Sequence, residues 1–230
     1  MASRPIFRPK NQVVGVSEDL LEFSWFPGMA ASQKKKSIKS LHEAARNCGF
    51  GNILEISSKS EDDLGIALSA FNLIIKTKKH GNEFTVETAF QGSKVFERGG
   101  PFTELLGLDS LKAKKDIRLK ESGNLIAFYF FGMKFPIIPR TYFYDWLYIN
   151  ALNNNPTLAD RVKLYDSFSD IEFNPKRSIN CQAHSVALYL SLIKNSKIEK
   201  ALESPQSFLD CTKQHYEIQK RNIGIQDTFI

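Results

Sequence analysis

The sequence predicts an α+β domain in which helices outweigh strands. Two observations carry that reading. The short runs with strand chemistry fall before residue 140, and the periodic segments after it are helical. No regular alternation of strand and helix is visible, so a doubly wound parallel sheet is not expected. The 230 residues suit one domain. They divide into an irregular N-terminal arm over 1–17, a main domain over 18–210 and a polar C-terminal tail over 211–230.

Each element has a local reason. Pro5 and Pro9 break up the arm. Residues 20–27 read as a short strand ended by Pro27-Gly28. A helix over 32–47 is capped by Ser32, presents Ile38, Leu41, Ala44 and Ala45 on one face, and stops at Gly49 and Gly51. Residues 52–57 read as a strand, and 66–76 fit a strand or a helix. Lys78 to Asn82 form a turn. A helix is expected over 85–97, closed by Gly99-Gly100-Pro101, with a basic helical stretch near 109–120. Residues 123–138 read as two short strands with a bend at Gly132. Helices follow over 141–153, 156–165 and 179–195. The last of these has Ile179, Ala183, Val186, Ala187, Leu190 and Ile193 on one face. Asn174-Pro175 is a turn, and Ser204-Pro205 opens another helix. The final ten or so residues read as loose.

Composition excludes several classes. The 31 Lys and Arg outnumber the 25 Asp and Glu by six. That excess favours an anionic partner without implying a polybasic protein. The start, MASRPIFRPK, has no apolar core of a secretory signal. The longest apolar run, Leu125 to Phe131, is too short to span a bilayer. Cys48, Cys181 and Cys211 are widely spaced with no CxxC pair, which reads as reduced thiols in a cytoplasmic protein. No GxxxxGK[ST] or GxSxG motif is present, and Gly49-Phe50-Gly51 lacks the third glycine of a dinucleotide fingerprint. Cys181-x-x-His184 is the one metal-like spacing and has no second pair.

The most informative segment runs from Val86 to Lys94. On a helix, Glu87, Gln91 and Lys94 fall at i, i+4 and i+7 and form one narrow stripe. Apolar side chains hem it in: Val86 and Phe90 on one side, Val95 on the other. Such a stripe suits a partly dry cleft, where a carboxylate and an ammonium shift each other's pKa and act as acid, base or nucleophile. The competing reading is an ordinary Glu–Lys pair on a helix surface. Ser57-Ser58-Lys59-Ser60 and Ser69-Ala70-Phe71-Asn72 suit phosphate binding or plain polar turns. Two basic groups, Lys34, Lys35, Lys36 and Lys39, then Lys112, Lys114, Lys115, Arg118 and Lys120, suit a phosphate backbone or solvated helix faces. Near the aromatic run over 143–148, Trp146 or Tyr142 can stack on a base, or these rings fill the core. Asp170, Glu172, Asn174 and Asn180 surround a turn, where they line a pocket or cap a helix.

Several segments together resemble a known family. They are the Phe23-to-Met29 run FSWFPGM, LEISSKS, LSAFNL, VETAFQGSKVFERGGPF, FYDWLYINAL and DIEFNPKRSINCQA, and the resemblance they carry covers about residues 4–210. They resemble the NADAR proteins that accompany DarT-type DNA ADP-ribosyltransferase toxins. The wider NADAR family shares the E-x-x-x-Q-x-x-K pattern, here Glu87, Gln91 and Lys94. Ser69-Ala70-Phe71-Asn72 loosely matches that family's SNFYP-like segment.

The resemblance implies a compact, mostly helical NADAR-like domain with a few short strands. It implies an antitoxin that hydrolyses the N-glycosidic bond between ADP-ribose and the exocyclic amino group of guanine in DNA. The substrate is then ADP-ribosylated DNA with the guanine flipped or single-stranded, the product is ADP-ribose, and no metal or redox cofactor is implied. On this reading Glu87 is the acid–base group, Lys94 an amine that acts covalently or electrostatically, and Gln91 an orienting residue. Ser58, Lys59, Phe71 and Asn72 are candidates for the pyrophosphate and distal ribose, Trp146 for stacking, and Glu172 for a second acid. The rival readings are an N-glycosidase for a small phosphorylated metabolite and a non-catalytic module that binds ADP-ribose or the toxin.

Overall fold

A computed structural model describes residues 1–28, 30–77, 80–176 and 178–219. The chain opens with strands β1 (Ala2–Pro9) and β2 (Val16–Phe23), then helix α1 (Ala31–Asn47) and strand β3 (Ile53–Glu55). Helix α2 (Asp63–Ala67), strands β4 (Ile74–Lys76) and β5 (Glu83–Thr85), helix α3 (Val86–Gly92) and strand β6 (Lys94–Phe96) follow. A 3-10 turn over Thr103–Gly107 leads to helices α4 (Ser110–Lys114) and α5 (Arg118–Glu121), then to strands β7 (Leu125–Phe130) and β8 (Met133–Phe135). The remainder is α6 (Tyr142–Asn153), α7 (Pro156–Val162), β9 (Ser167–Ser169), α8 (Gln182–Lys194), α9 (Ile198–Leu202) and α10 (Pro205–Ile218). The fold is α+β with helix in the majority, as expected.

The strands form three small sheets. One has the order β2-β1-β9-β3, with β1 antiparallel to β2 and β9, and β3 parallel to β9. The others are the β4-β5 pair and the antiparallel β6-β7-β8 sheet, which carries an irregularity between Val95 and Phe96. The tip of the β7-β8 hairpin places Phe131 and Gly132 at positive φ, 44° and 81°. That matches the backbone hand of a two-residue hairpin turn, which glycine takes at no steric cost.

Several expected elements shift. The expected irregular arm is instead a strand, because Ile6 and Phe7 are fully buried against the rest of the sheet. Both prolines stay outside the short ladder to β9, which uses only Ile6 and Phe7, while pairing with Leu20 and Val16 of β2. The expected strand over 20–27 begins earlier and ends at Phe23. Ser32 lies inside α1 and does not cap it; the N-cap is Ala30, without a side-chain bond. Residues 66–76 are the end of a short helix followed by strand β4. The basic stretch is two short helices, broken where Asp116 accepts the backbone N–H of Arg118 at 3.0 Å. Strand β9 lies beyond residue 140, in a segment too short to read from sequence. The turn expected over Lys78–Asn82 is closed by Thr77, whose N–H donates to Asn82 O at 2.9 Å. Lys78 and Lys79 themselves lie outside the described residues.

The expected tail also changes its meaning. Residues 211–218 continue helix α10, and Thr212, His215 and Tyr216 are buried. Tyr216 OH donates to Asp145 Oδ2 at 3.1 Å, and Asp145 Oδ1 accepts Ser185 Oγ at 2.7 Å. His184 Nδ1 lies 3.3 Å from the same carboxylate, which this company holds below its ordinary range despite burial. One buried carboxylate thus joins α6, α8 and α10. The loose end expected over the last residues falls at 220–230, outside the described residues.

Helices α6 and α8 are buried on nearly every side, as expected for helices apolar all round. They make the centre against which β1, α3 and the β6-β7-β8 sheet pack. Phe7 sits there, with its ring centroid 6.2 Å from Phe173 and 5.7 Å from His184. Phe7→Ala is expected to lower unfolding free energy by about 3–5 kcal/mol, the usual range for a buried Phe. Urea unfolding of the two proteins measures it. A change of a few tenths would mean that β1 is dispensable.

Candidate active site

The stripe of Glu87, Gln91 and Lys94 forms at a junction. Thr85 and Thr88 make a reciprocal capping box that starts α3. The helix ends at Gly92, five residues short of the expected end at residue 97. Ser93 Oγ donates to Ala89 O at 2.7 Å, while Ser93 O accepts Tyr129 N–H at 2.7 Å. The chain is thereby handed to β6. Lys94 is consequently the first residue of a strand, opposite Phe128, and not a helical residue as expected.

The three side chains nevertheless meet. Gln91 Nε2 donates to Glu87 Oε1 at 2.9 Å, and Lys94 Nζ donates to Gln91 Oε1 at 2.7 Å. Glu87 and Gln91 are each 6% exposed. Lys114 Nζ approaches Glu87 Oε1 at 3.7 Å from α4. The Lys94 ammonium lies 4.8 Å from the centre of the Phe90 ring. Burial pushes the Lys94 pKa down to about 8, with Lys114 adding to the shift and Glu87 opposing it.

These groups line a cleft of about 740 Å³, within the range for small-ligand sites. Ser58, Phe71 and Glu172, expected at the site, line it as well. Lys59, Asn72 and Trp146 do not. Asn72 Nδ2 is turned onto Ile66 O at 2.9 Å, where it staples its own loop. Trp146 is buried with its ring 5.0 Å from Phe135 and 6.4 Å from Phe130, so packing claims it. Lys59 sits next to Ser58 of the cleft wall, and its backbone N–H donates to Ser57 Oγ at 3.2 Å.

The opposite wall comes from the β9–α8 connection. Asp170 Oδ1 accepts the backbone N–H groups of Glu172 at 3.0 Å and Phe173 at 3.2 Å. Burial, reinforced by the charge of Glu55, pushes the Asp170 carboxyl up to about 8. Behind it, Glu55 accepts Ile171 N–H at 2.8 Å and Ser169 Oγ at 2.5 Å, and burial raises its pKa too. Gln182 binds Ala70 N–H at 2.8 Å and donates to Ile56 O at 2.6 Å, joining the floor of the cleft to α8. Among the described residues, Asn180 Oδ1 is buried without a hydrogen-bond partner. It lines the cleft, where a ligand donor would satisfy it.

The model of the family described as the DarT1-associated NADAR antitoxin matches residues 2–222. The chain belongs to that family. No curated protein matches the chain. The family match reaches past the resemblance at both ends, to the start of β1 and through the end of α10. As a DarT1-associated NADAR antitoxin, the protein has a DarT toxin as its functional partner. Among the described residues, no helix is long and apolar enough to cross a membrane.

Sequence reasoning flagged Lys114 only within a basic run, and left Asp170 and Asn180 open between lining a pocket and capping a helix; both line the cleft. It missed Tyr144, Arg140 and Gln182, which also line the cleft of this antitoxin. Tyr144 stands among core aromatics of α6, and Arg140 is an isolated charge after β8. Neither carries a spacing that marks a site. Cys181 and His184 turn to different carboxylates, Asp170 and Asp145. Among the described residues no cluster of three or more His, Cys, Asp or Glu suits a metal ion.

Proposed function

We propose that this antitoxin is a DNA ADP-ribosylglycohydrolase, acting in the cytoplasm, that removes ADP-ribose from the exocyclic amino group of guanine. The observation that supports it most is the buried Glu87–Gln91–Lys94 chain on the wall of a nucleotide-sized cleft, in a member of a DarT1-associated family. The bond to break joins the anomeric carbon of the distal ribose to a nitrogen. Its cleavage needs a proton donor and a means of holding the electron-poor carbon.

The cleft has groups for both tasks. A carboxyl, Glu87 on one wall or Asp170 on the other, protonates the ring oxygen, and the sugar opens to an iminium between C1 and the guanine nitrogen. Lys94, as a neutral amine, adds to C1. A proton passes to the guanine nitrogen, and guanine departs with its amino group intact. The remaining Lys94 iminium takes up water and releases ADP-ribose, which regenerates the amine. The balance is one water consumed with no change in redox state. Gln91, held between Glu87 and Lys94, keeps the two at a fixed separation. Ser57 and Ser58 on the cleft wall, with the unpartnered Asn180 Oδ1, are suited to the ribose hydroxyls.

The direct test uses an oligonucleotide ADP-ribosylated on guanine. Incubation with the protein is expected to release ADP-ribose and restore the unmodified strand, followed by mass spectrometry. Stoichiometric binding of the modified strand without release would overturn the catalytic reading.

A further inference from the structure

We infer that the exposed lysine face of α4–α5 is the seat of the DNA backbone that flanks the modified guanine. The inference deepens the proposed activity and rests on that reading. A cleft of about 740 Å³ suits one nucleotide-sized ligand. The strand that carries the modified base therefore crosses the rim outside the cleft, and the rim must neutralise its phosphates.

Helix α4 forms that rim on the Glu87 side. It is firmly seated: Ala113 is fully buried, and Ser110 Oγ donates to Phe71 O at 3.1 Å and lies 2.7 Å from Thr85 Oγ1. Lys114 points into the cleft, onto Glu87 and over the Phe71 ring at 5.0 Å. The neighbouring Lys112, Lys115 and Lys120 point to solvent. Among the described residues, none of these three has a carboxylate at ion-pair distance. Arg118, by contrast, is already bound by Asp116 and Glu104, so its charge is spent within the knuckle. Leu111 and Ile117, about half exposed at 49% and 57%, flank Lys112 and Lys115 along the chain. Unpaired ammonium groups interleaved with apolar side chains match a strand's alternation of phosphates and base faces. The face is also continuous with the cleft through Lys114, so a strand bound there places its guanine at the Glu87 wall.

The test separates this surface from the chemistry. Lys112→Glu/Lys115→Glu changes two exposed side chains outside the cleft, and Lys112→Gln/Lys115→Gln provides a milder version that adds no new charge. Binding of a fluorescein-labelled, unmodified single strand is followed by anisotropy over a range of salt. Loss of two contacts is expected to weaken binding most at low salt and to reduce the salt slope by about 1.4, from about 0.7 per phosphate on single strands. Hydrolysis of ADP-ribosylated guanosine as a free nucleoside is expected to stay at the wild-type rate, while KM for the modified oligonucleotide rises. Wild-type affinity and slope in both variants would overturn the inference and leave the face to the toxin or to water. If the wild-type protein released no ADP-ribose from either substrate, the proposed activity would fall. The anisotropy experiment would still judge the lysine face.

Discussion

Glu87→Gln is expected to reduce ADP-ribose release from modified DNA by about 10²–10⁴-fold, the usual worth of a positioned acid–base group. The substitution is nearly isosteric. Its amide oxygen can still accept Gln91 Nε2, now at 2.9 Å from Glu87 Oε1. What disappears is the negative charge between Lys94 and Lys114 and the ability to carry a proton. The fold should survive, because α3 is set by the Thr85–Thr88 capping box and by packing on α6, not by Glu87. Urea unfolding therefore controls for stability, and isothermal titration with ADP-ribose controls for the pocket. Retained binding with lost release supports catalysis through Glu87. A variant that protects cells from the toxin as well as wild type would mean that catalysis does not run through Glu87. Turnover of a phosphorylated metabolite but not of modified DNA would move the same machinery to the rival substrate.

What the sequence showed of this site follows from how each part is built. The Glu87–Gln91 pair was legible because i, i+4 spacing places the two on one helix face, and the apolar neighbours implied shelter. Lys94 was found for a partly wrong reason. Helical periodicity places it on the stripe, yet the helix ends at Gly92, and the strand that follows brings Nζ to Gln91. The opposite wall was legible only in part: Glu172 was a candidate, Asp170 and Asn180 were left between pocket and cap, and Gln182 carried no signal. Asp170, Asn180 and Gln182 owe their position to the parallel pairing of β3 with β9, residues 53–55 against 167–169, a contact across the whole domain. No local pattern encodes such a pairing. The errors at the chain ends have one cause as well. Ala2–Pro9 and residues 211–218 look polar or broken by proline, and only their long-range partners, β2 and Asp145, show that they belong to the core.

Lys94 carries the second large effect, and its environment supplies a sign. Burial holds its pKa near 8, below the ordinary value of about 10.4. The neutral amine that can attack carbon therefore grows as pH rises through about 8. The single-turnover rate at saturating substrate should climb over that interval and then level off. A purely electrostatic Lys94 predicts the reverse, since the ammonium vanishes over the same range. Asp170 loses its proton near the same pH, so the profile is best read in Asp170→Asn, which removes that titration. Lys94→Ala should be inert, and Lys94→Arg separates the two roles further. A guanidinium keeps the charge but stays protonated and cannot form the iminium. Borohydride added during turnover should fix ADP-ribose covalently to Lys94 in wild type and not in Lys94→Arg. Stability obeys the same linkage. An ammonium buried in the folded state destabilises it below pH 8, and that penalty is relieved as pH rises from about 8 toward the unfolded value of about 10.4. Lys94→Met should lose this pH-dependent gain. A profile in Lys94→Arg as active as wild type, with no trapped adduct, would remove the amine from the chemistry and leave Glu87 and Asp170 to act on water directly.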